Sequence, residues 1–327
     1  MKNNLIKAVL LFAIGSLSLL FACNSNKPDQ TEKHDHPEGM QHDHEHGFAC
    51  PMHPEIVGQE GDKCSKCGMN LEPIAEEAHA GNFEMQLKTN PEKIEAKKIV
   101  ALSFLPKNKD NLTAAVPLDV EHEKKIHLII VDEDLTWFNH IHPEYQSDGS
   151  YTVNETFPHG GNYILYADYK PSGSHHQLNK INVSVEGAKS KTIASTKIRN
   201  ETTSDKFQVT LKADNGKFVA NNAIHFDGVF MLDGKRFDVN NLQNYLGAKG
   251  HMVAINTSTK EYIHLHPEVE KDILHFHTTF EKAGIYRVWL QFMYEGKLHT
   301  TDFNIQVEEG VAQAQDHDHD DHEGHQH

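Results

Sequence analysis

Basic residues are scarce in this chain. Its 327 residues include 31 Lys and Arg against 47 Asp and Glu, a formal charge of −16 with histidine neutral. That balance argues against nucleic acid as a partner, because a net negative chain repels phosphates. Cysteine is scarcer, with four residues, too few for a disulfide-dense scaffold. The one apolar run, from Ala8 to Phe21, is too short to span a bilayer comfortably. No stretch of 3.6-residue period competes for a helical fold. His-Glu-x-x-His, Gly-x-Ser-x-Gly and the phosphate-binding loop are all missing, which removes the strongest sequence support for an enzyme. Histidine is abundant instead, at 26 residues, and the length leaves room for two ordinary domains.

Lys2 and Lys7 precede the apolar run, which reads as the core of a secretory signal. It ends Leu20-Phe21-Ala22-Cys23, which resembles the lipobox of bacterial lipoproteins. The resemblance implies removal of residues 1–22, lipidation of Cys23 and a His-rich tether over 23–46. An ordinary signal cleaved nearby is the alternative.

Cys50, Cys64 and Cys67 remain, an odd number that a metal site explains more naturally than disulfides. Cys50-Pro51-Met52-His53 is followed by Cys64-Ser65-Lys66-Cys67-Gly68-Met69. Two residues between ligands let a tight turn aim both side chains at one ion, and two such turns supply a Cys₃His tetrahedron suited to zinc. The thioethers of Met52 and Met69 shift the preference towards Cu(I). This pattern resembles the small heavy-metal-binding domain family found on copper/silver efflux adaptor proteins and heavy-metal P-type ATPases. It covers about residues 47–74 and implies Cys50, Met52, His53, Cys64, Cys67 and Met69 as ligands. A Cys64–Cys67 disulfide is the alternative that an oxidising compartment permits.

His34 to His46 and His317 to His327 interleave histidine with Asp and Glu. Neither tract has apolar periodicity, so both are expected to be disordered, the second over 309–327. Imidazoles among carboxylates chelate Cu(II), Zn(II) or Ni(II) weakly without a fixed fold; a solubilising tail is the alternative.

The chain also matches itself. At an offset of 124, His127-Leu128-Ile129-Ile130-Val131 falls on His251-Met252-Val253-Ala254-Ile255, and His140-Ile141-His142-Pro143-Glu144 on His264-Leu265-His266-Pro267-Glu268. At 123, Phe157, Gly161, Tyr163, Gly173 and His176 fall on Phe280, Gly284, Tyr286, Gly296 and His299. Residues 83–187 and 205–308 are therefore two copies of one domain, joined by a linker over 188–204. Alternation such as Tyr163, Leu165, Ala167, Tyr169 marks strands, and Gly-containing turns separate them. The expected fold is mainly β: a small Cys/His knuckle plus two tandem immunoglobulin-like sandwiches.

Four histidine positions recur: His127, His140, His142 and His176 against His251, His264, His266 and His299. His-x-His on a strand puts both rings on one face, about 6–7 Å apart. A histidine from a neighbouring strand and one from a later turn would complete a nitrogen set for Cu(II) or Zn(II). The alternative is that they are inherited structural histidines. His122, His159, His175, His225, His275 and His277 have no counterpart and are expected to be structural, although His275 and His277 share a face. Trp137 and Tyr262 are expected to serve packing. The tandem region is similar to secreted bacterial proteins with paired β-sandwiches behind a heavy-metal-binding domain, and more loosely to periplasmic copper-resistance sandwiches, which implies metal handling.

The expectation is a lipid-anchored protein of the bacterial envelope, periplasmic or outer-membrane, that binds heavy-metal ions without turnover. Copper is the leading ion, as Cu(I) or Cu(II), with zinc or silver as alternatives, and a metal efflux system is the protein partner the resemblance implies. Capture should weaken between about pH 7 and 5, as imidazoles of reference pKa protonate. The competing classes are an adhesive or structural lipoprotein whose only metal site is the Cys/His domain, and a metal-dependent enzyme using the His-x-His sites.

Overall fold

The computed structural model describes residues 48–50, 56–65, 68–73, 82–192 and 195–310. They are almost entirely β, as the alternating patterns require, with one short 3₁₀ turn at Val239–Asn241. Cys23 and both histidine-rich tails lie outside the described residues.

Each repeat is a two-sheet sandwich. In the first, one sheet runs in the order Phe83–Asn90, Ile99–Asn108, Tyr151–Thr156, Glu144–Tyr145. The other runs Ile94–Glu95, Gln177–Glu186, Gly161–Tyr169, Ile126–Asp132, Phe138–Ile141. The second repeat copies this arrangement. One sheet follows Glu201–Ser204, Phe207–Ala213, Ala223–Leu232, Ile273–Thr279, Glu268–Glu270, and the other Phe218–Val219, Lys297–Glu308, Gly284–Tyr294, His251–Asn256, Tyr262–Leu265. Both carry the same corner: the Tyr163 hydroxyl donates to the His159 carbonyl at 2.8 Å, and the Tyr286 hydroxyl to the Lys282 carbonyl at 2.8 Å. Such corners are a recurrent feature of immunoglobulin-like sandwiches.

One departure from simple alternation places the site. Ile126–Asp132 and His251–Asn256 are buried at every position. A strand in a free-standing sandwich faces water on one side; these are covered on both. Leu128 and Ile130 point into the first repeat's own core, while Ile129 and Val131 join Val253, Ile255 and Trp289 in a separate cluster between the repeats. Phe138 stacks on Trp289 at 4.7 Å, and Tyr262 on Tyr166 at 4.8 Å. The repeat offsets carry Phe138 onto Tyr262 and Tyr166 onto Trp289, so the two stacks are one contact made twice across an approximate two-fold. Tyr262 thus packs as expected and also brings its hydroxyl to 3.4 Å from Asp168. Trp137 packs in the first core against Phe157 and Tyr163.

Candidate metal centre

His127 and His251 lie on the same faces of their strands as the interface residues Ile129 and Val253. His140 and His264 stand opposite them on the edge strands, close to the register pairs Ile129 with His140 and Val253 with His264. His142 and His266 follow just past the strand ends. The chain therefore brings His127, His140 and His142 into one group and His251, His264 and His266 into another, with the offered ring atoms within 4.8 Å of one another in each. All three ligand candidates of a group come from one repeat. Between groups, the His127 and His251 rings are 6.2 Å apart, and those of His140 and His264 5.8 Å.

The protons on four of these rings are fixed by their outer partners. His127 Nε2 donates to the Glu121 carbonyl at 3.0 Å, so its Nδ1 is bare. His140 Nδ1 donates to Gln291 Oε1 at 2.8 Å, so its Nε2 is bare. Those two bare nitrogens face each other at 3.2 Å, with His142 Nε2 at 3.1 Å from His140 Nε2. The second repeat repeats the scheme. His251 Nε2 donates to the Tyr245 carbonyl at 2.8 Å and His264 Nδ1 to the Asp168 carboxylate at 3.1 Å, which leaves His251 Nδ1 and His264 Nε2 facing each other at 3.4 Å. Both nitrogens of His266 are buried without a hydrogen-bond partner.

Lone pairs aimed at one another inside a protein repel unless a cation sits between them. A proton is a poor candidate. Burial, reinforced by the neighbouring rings, holds His127 down to about 3 and His142, with Lys124 beside it, to about 4. His140, His251 and His266 are lowered too, burial again being the main cause. A metal ion fits better: nitrogens at about 2.0–2.1 Å from a tetrahedral ion stand about 3.3–3.4 Å apart, close to the spacings observed. Three imidazoles suit copper or zinc rather than hard cations.

The outer partners cross the interface. His140 belongs to the first repeat and is oriented by Gln291 of the second; His264 belongs to the second and is oriented by Asp168 of the first. Gln291 and Asp168 occupy matching positions in the two copies. Each repeat therefore supplies its own ligands and positions one ligand of its neighbour, so both repeats must be docked for either triad to be fully oriented.

His176 and His299, the fourth recurring positions, do not join the triads. His176 Nε2 meets the other oxygen of Asp168 at 2.5 Å. Burial opposes its charge, but the carboxylate prevails and raises it above the ordinary histidine range, while Asp168 is held well below the carboxylate range against its own burial. His176 thus acts behind His264, one step removed from any ion. His299 stacks flat on Phe292 at 5.1 Å, with Nδ1 3.4 Å from Asp205. Conversely His122, expected to be structural, stacks on His266 at 3.7 Å, and its pKa is lowered to about 4 by burial and by His264. Leu246 stands at the matching position of the second copy, so His122 carries no repeat signal.

The Cys/His knuckle is a three-stranded sheet of Phe48–Ala49, Val57–Gly58 and Glu72–Pro73. Cys50 and Cys64 are buried, Met69 packs beside them, and the cluster merges with the second repeat's core. Gly68 N donates to the Cys64 carbonyl at 2.9 Å, closing the turn. Only glycine suits position 68, where φ is +83° and a Cβ would lie 2.9 Å from the His277 ring. Met52, His53 and Cys67 lie outside the described residues.

Two family models match: the heavy metal binding domain over 48–74, and the domain of unknown function DUF8832 twice, over 78–187 and 201–309. No curated protein matches the chain. Among solved structures, Escherichia coli alpha-2-macroglobulin activated by porcine elastase is 12% identical, with a TM-score of 0.23 over 69% of this chain and 20% of that one. FdeC, an Escherichia coli adhesin, is 11% identical, with a TM-score of 0.23 over 72% and 68%. A two-domain fibronectin type III segment of chicken tenascin is 8% identical, with a TM-score of 0.20 over 68% and 98%. Likenesses this weak carry no functional inference.

Proposed function

The chain belongs to the DUF8832 family, whose domain has no known function, and from the metal centre itself we propose that it is a lipid-anchored envelope protein that binds heavy-metal ions for sequestration, resistance or transfer. Copper is the leading ion, with zinc or silver as alternatives. The heavy metal binding domain supports the coarse reading. The single observation that carries the rest is the pair of buried triads, in which bare imidazole nitrogens face one another at 3.2 Å between His127 and His140 and at 3.4 Å between His251 and His264, with the protons of these four rings committed elsewhere. Thiolate and thioether ligands of the small domain suit Cu(I), and the triads suit Cu(II) or Zn(II). The protein acts by binding, without turnover, anchored through Cys23, and it hands ions to or receives them from an efflux system.

Three protein ligands leave one position open, as in catalytic zinc sites, and that favours a metal-dependent enzyme as the second reading. Burial argues against it: His127, His140, His251 and His264 are 1–6% exposed, which suits holding an ion better than admitting a substrate.

Zn(II) and Cu(II) titration of the full chain, with metal content measured after gel filtration, tests the proposal. His127→Ala with His251→Ala should each remove one tightly bound ion and leave the ion of the small domain in place. Unchanged stoichiometry would make the triads structural.

A further inference from the structure

The small domain docks on one particular patch of the second repeat. In the antiparallel pair Ala223–Leu232 and Ile273–Thr279, His225 lies opposite His277 and Asp227 opposite His275. These four alternate with buried Ile224, Phe226, Phe276 and Thr278, so they share the outer face of the sheet. His277 Nε2 donates to the Cys64 carbonyl at 2.6 Å, Thr279 Oγ1 donates to the Ser65 carbonyl at 3.0 Å, and Lys63 pairs with Glu268. The patch is thus fastened to the turn that carries Cys64.

His275 Nδ1 donates to Asp227 Oδ1 at 3.0 Å, which turns its Nε2 towards His225 Nδ1 at 3.3 Å. A carboxylate behind one histidine nitrogen orients the other for a metal and raises its basicity. The spacing again equals the edge of a tetrahedron about a zinc-sized ion, about 3.3–3.4 Å. His225 is exposed, so an ion here can exchange with solvent, unlike one in the interface triads.

A second observation comes from the other repeat. There the register pairs are Ala101 with Asn154 and Ser103 with Thr152, at the positions of His225 with His277 and Asp227 with His275. The sheet fold is the same, yet none of these four residues is a histidine or a carboxylate. Among the described residues, the ligand-type side chains occur on the copy against which the metal-binding domain packs. A need of the sandwich itself would put them on both.

We propose that His225 and His275, oriented by Asp227, form a third, solvent-facing site for a borderline divalent cation such as Zn(II) or Cu(II), beside the Cys64 turn. His277 acts as a positioning residue that fastens the small domain to the patch. Two protein ligands leave the remaining positions to water or to an incoming donor, the form expected of a site where ions enter or leave. This site does not depend on the interface triads binding metal.

The test is histidine-ring ¹H–¹⁵N NMR of the full chain during Zn(II) titration, with His225 and His275 assigned by single substitution to Gln. Both rings should shift together as one binding event, and Asp227→Asn should weaken that event tenfold or more while the His127 and His251 rings respond to Zn(II) as in the unaltered chain. The proposal is overturned if His225 and His275 stay unperturbed at saturating Zn(II), which would mean that His225 Nδ1–H merely donates to His275. It is also overturned if Asp227→Asn leaves the affinity unchanged. Because Asp227 is half-exposed and outside the core, that variant keeps the test valid even where the histidine substitutions disturb folding.

Discussion

The two triads are copies in their ligands and differ in what stands behind them. His140 is backed by the neutral amide of Gln291, whereas His264 is backed by Asp168, which also holds His176 on its second oxygen. A carboxylate raises the basicity of the imidazole it orients and offsets the charge of a bound cation more than an amide does. The second repeat's triad also has His122 stacked over His266. Duplication kept the ligands and let their support diverge, so the triads should be unequal, with the one in the second repeat filling first.

Acid should break both triads together. His127 at about 3, and His122 and His142 at about 4, lie below the 6.5 they recover on unfolding. The unfolded chain therefore takes up more protons than the folded one between those limits. The stabilisation is complete above about pH 6.5 and is lost progressively as pH falls towards 4. The melting temperature of the metal-free protein should drop steadily from pH 7 to 4.5, and a flat profile would contradict burial of neutral rings. Binding follows the same direction: the triad rings that burial lowers should keep their ions to lower pH than the window of about pH 7 to 5 expected from histidine's reference value.

Trp289→Ala attacks the interface that both triads share. Removing a buried Trp costs about 3–5 kcal/mol, here by taking away the stack on Phe138. Urea unfolding should report that loss, and Zn(II) affinity should fall at both triads, because each relies on a partner across the seam. Weakening confined to one triad would refute the crossed support.

Asp168→Asn should separate the two sites. We expect the His251 triad to lose about 10- to 100-fold in affinity while the His127 triad is unchanged; equal losses would refute the asymmetry. Gln291→Glu is the smallest and most pointed change. A carboxylate behind His140 should tighten the His127 triad about tenfold and narrow the gap between the sites in competition titrations. A gap as wide as in the unaltered protein would mean that the outer partner does not set the order of filling.

Six of the eight recurring histidines could be read from the repeat because strand alternation is local. His-x-His must share a face wherever the strand lies. His176 and His299 recur for other reasons, one paired with Asp168 and the other stacked on Phe292, and identity between copies could not distinguish such roles from ligation. Asp168 and Gln291 were legible only in part. Each is a polar residue between apolar neighbours, at the same position in both copies, but the two differ, so no identity between the copies marks them. His122 lacked even that signal.

The amino-acid sequence by itself determined the two β-sandwich copies, the heavy-metal motif and the ligand-type residues on given strand faces, because periods of two and fixed spacings act over a few residues. Only the tertiary structure decided that the histidine-bearing sheets face each other, that each copy orients a ligand of the other, and that the small domain sits over the one patch bearing His225, Asp227 and His275. Those relations depend on how completed domains dock, which is set by the apolar surface buried between Phe138, Trp289, Tyr166 and Tyr262, and no local period encodes a partner 96 or 151 residues away.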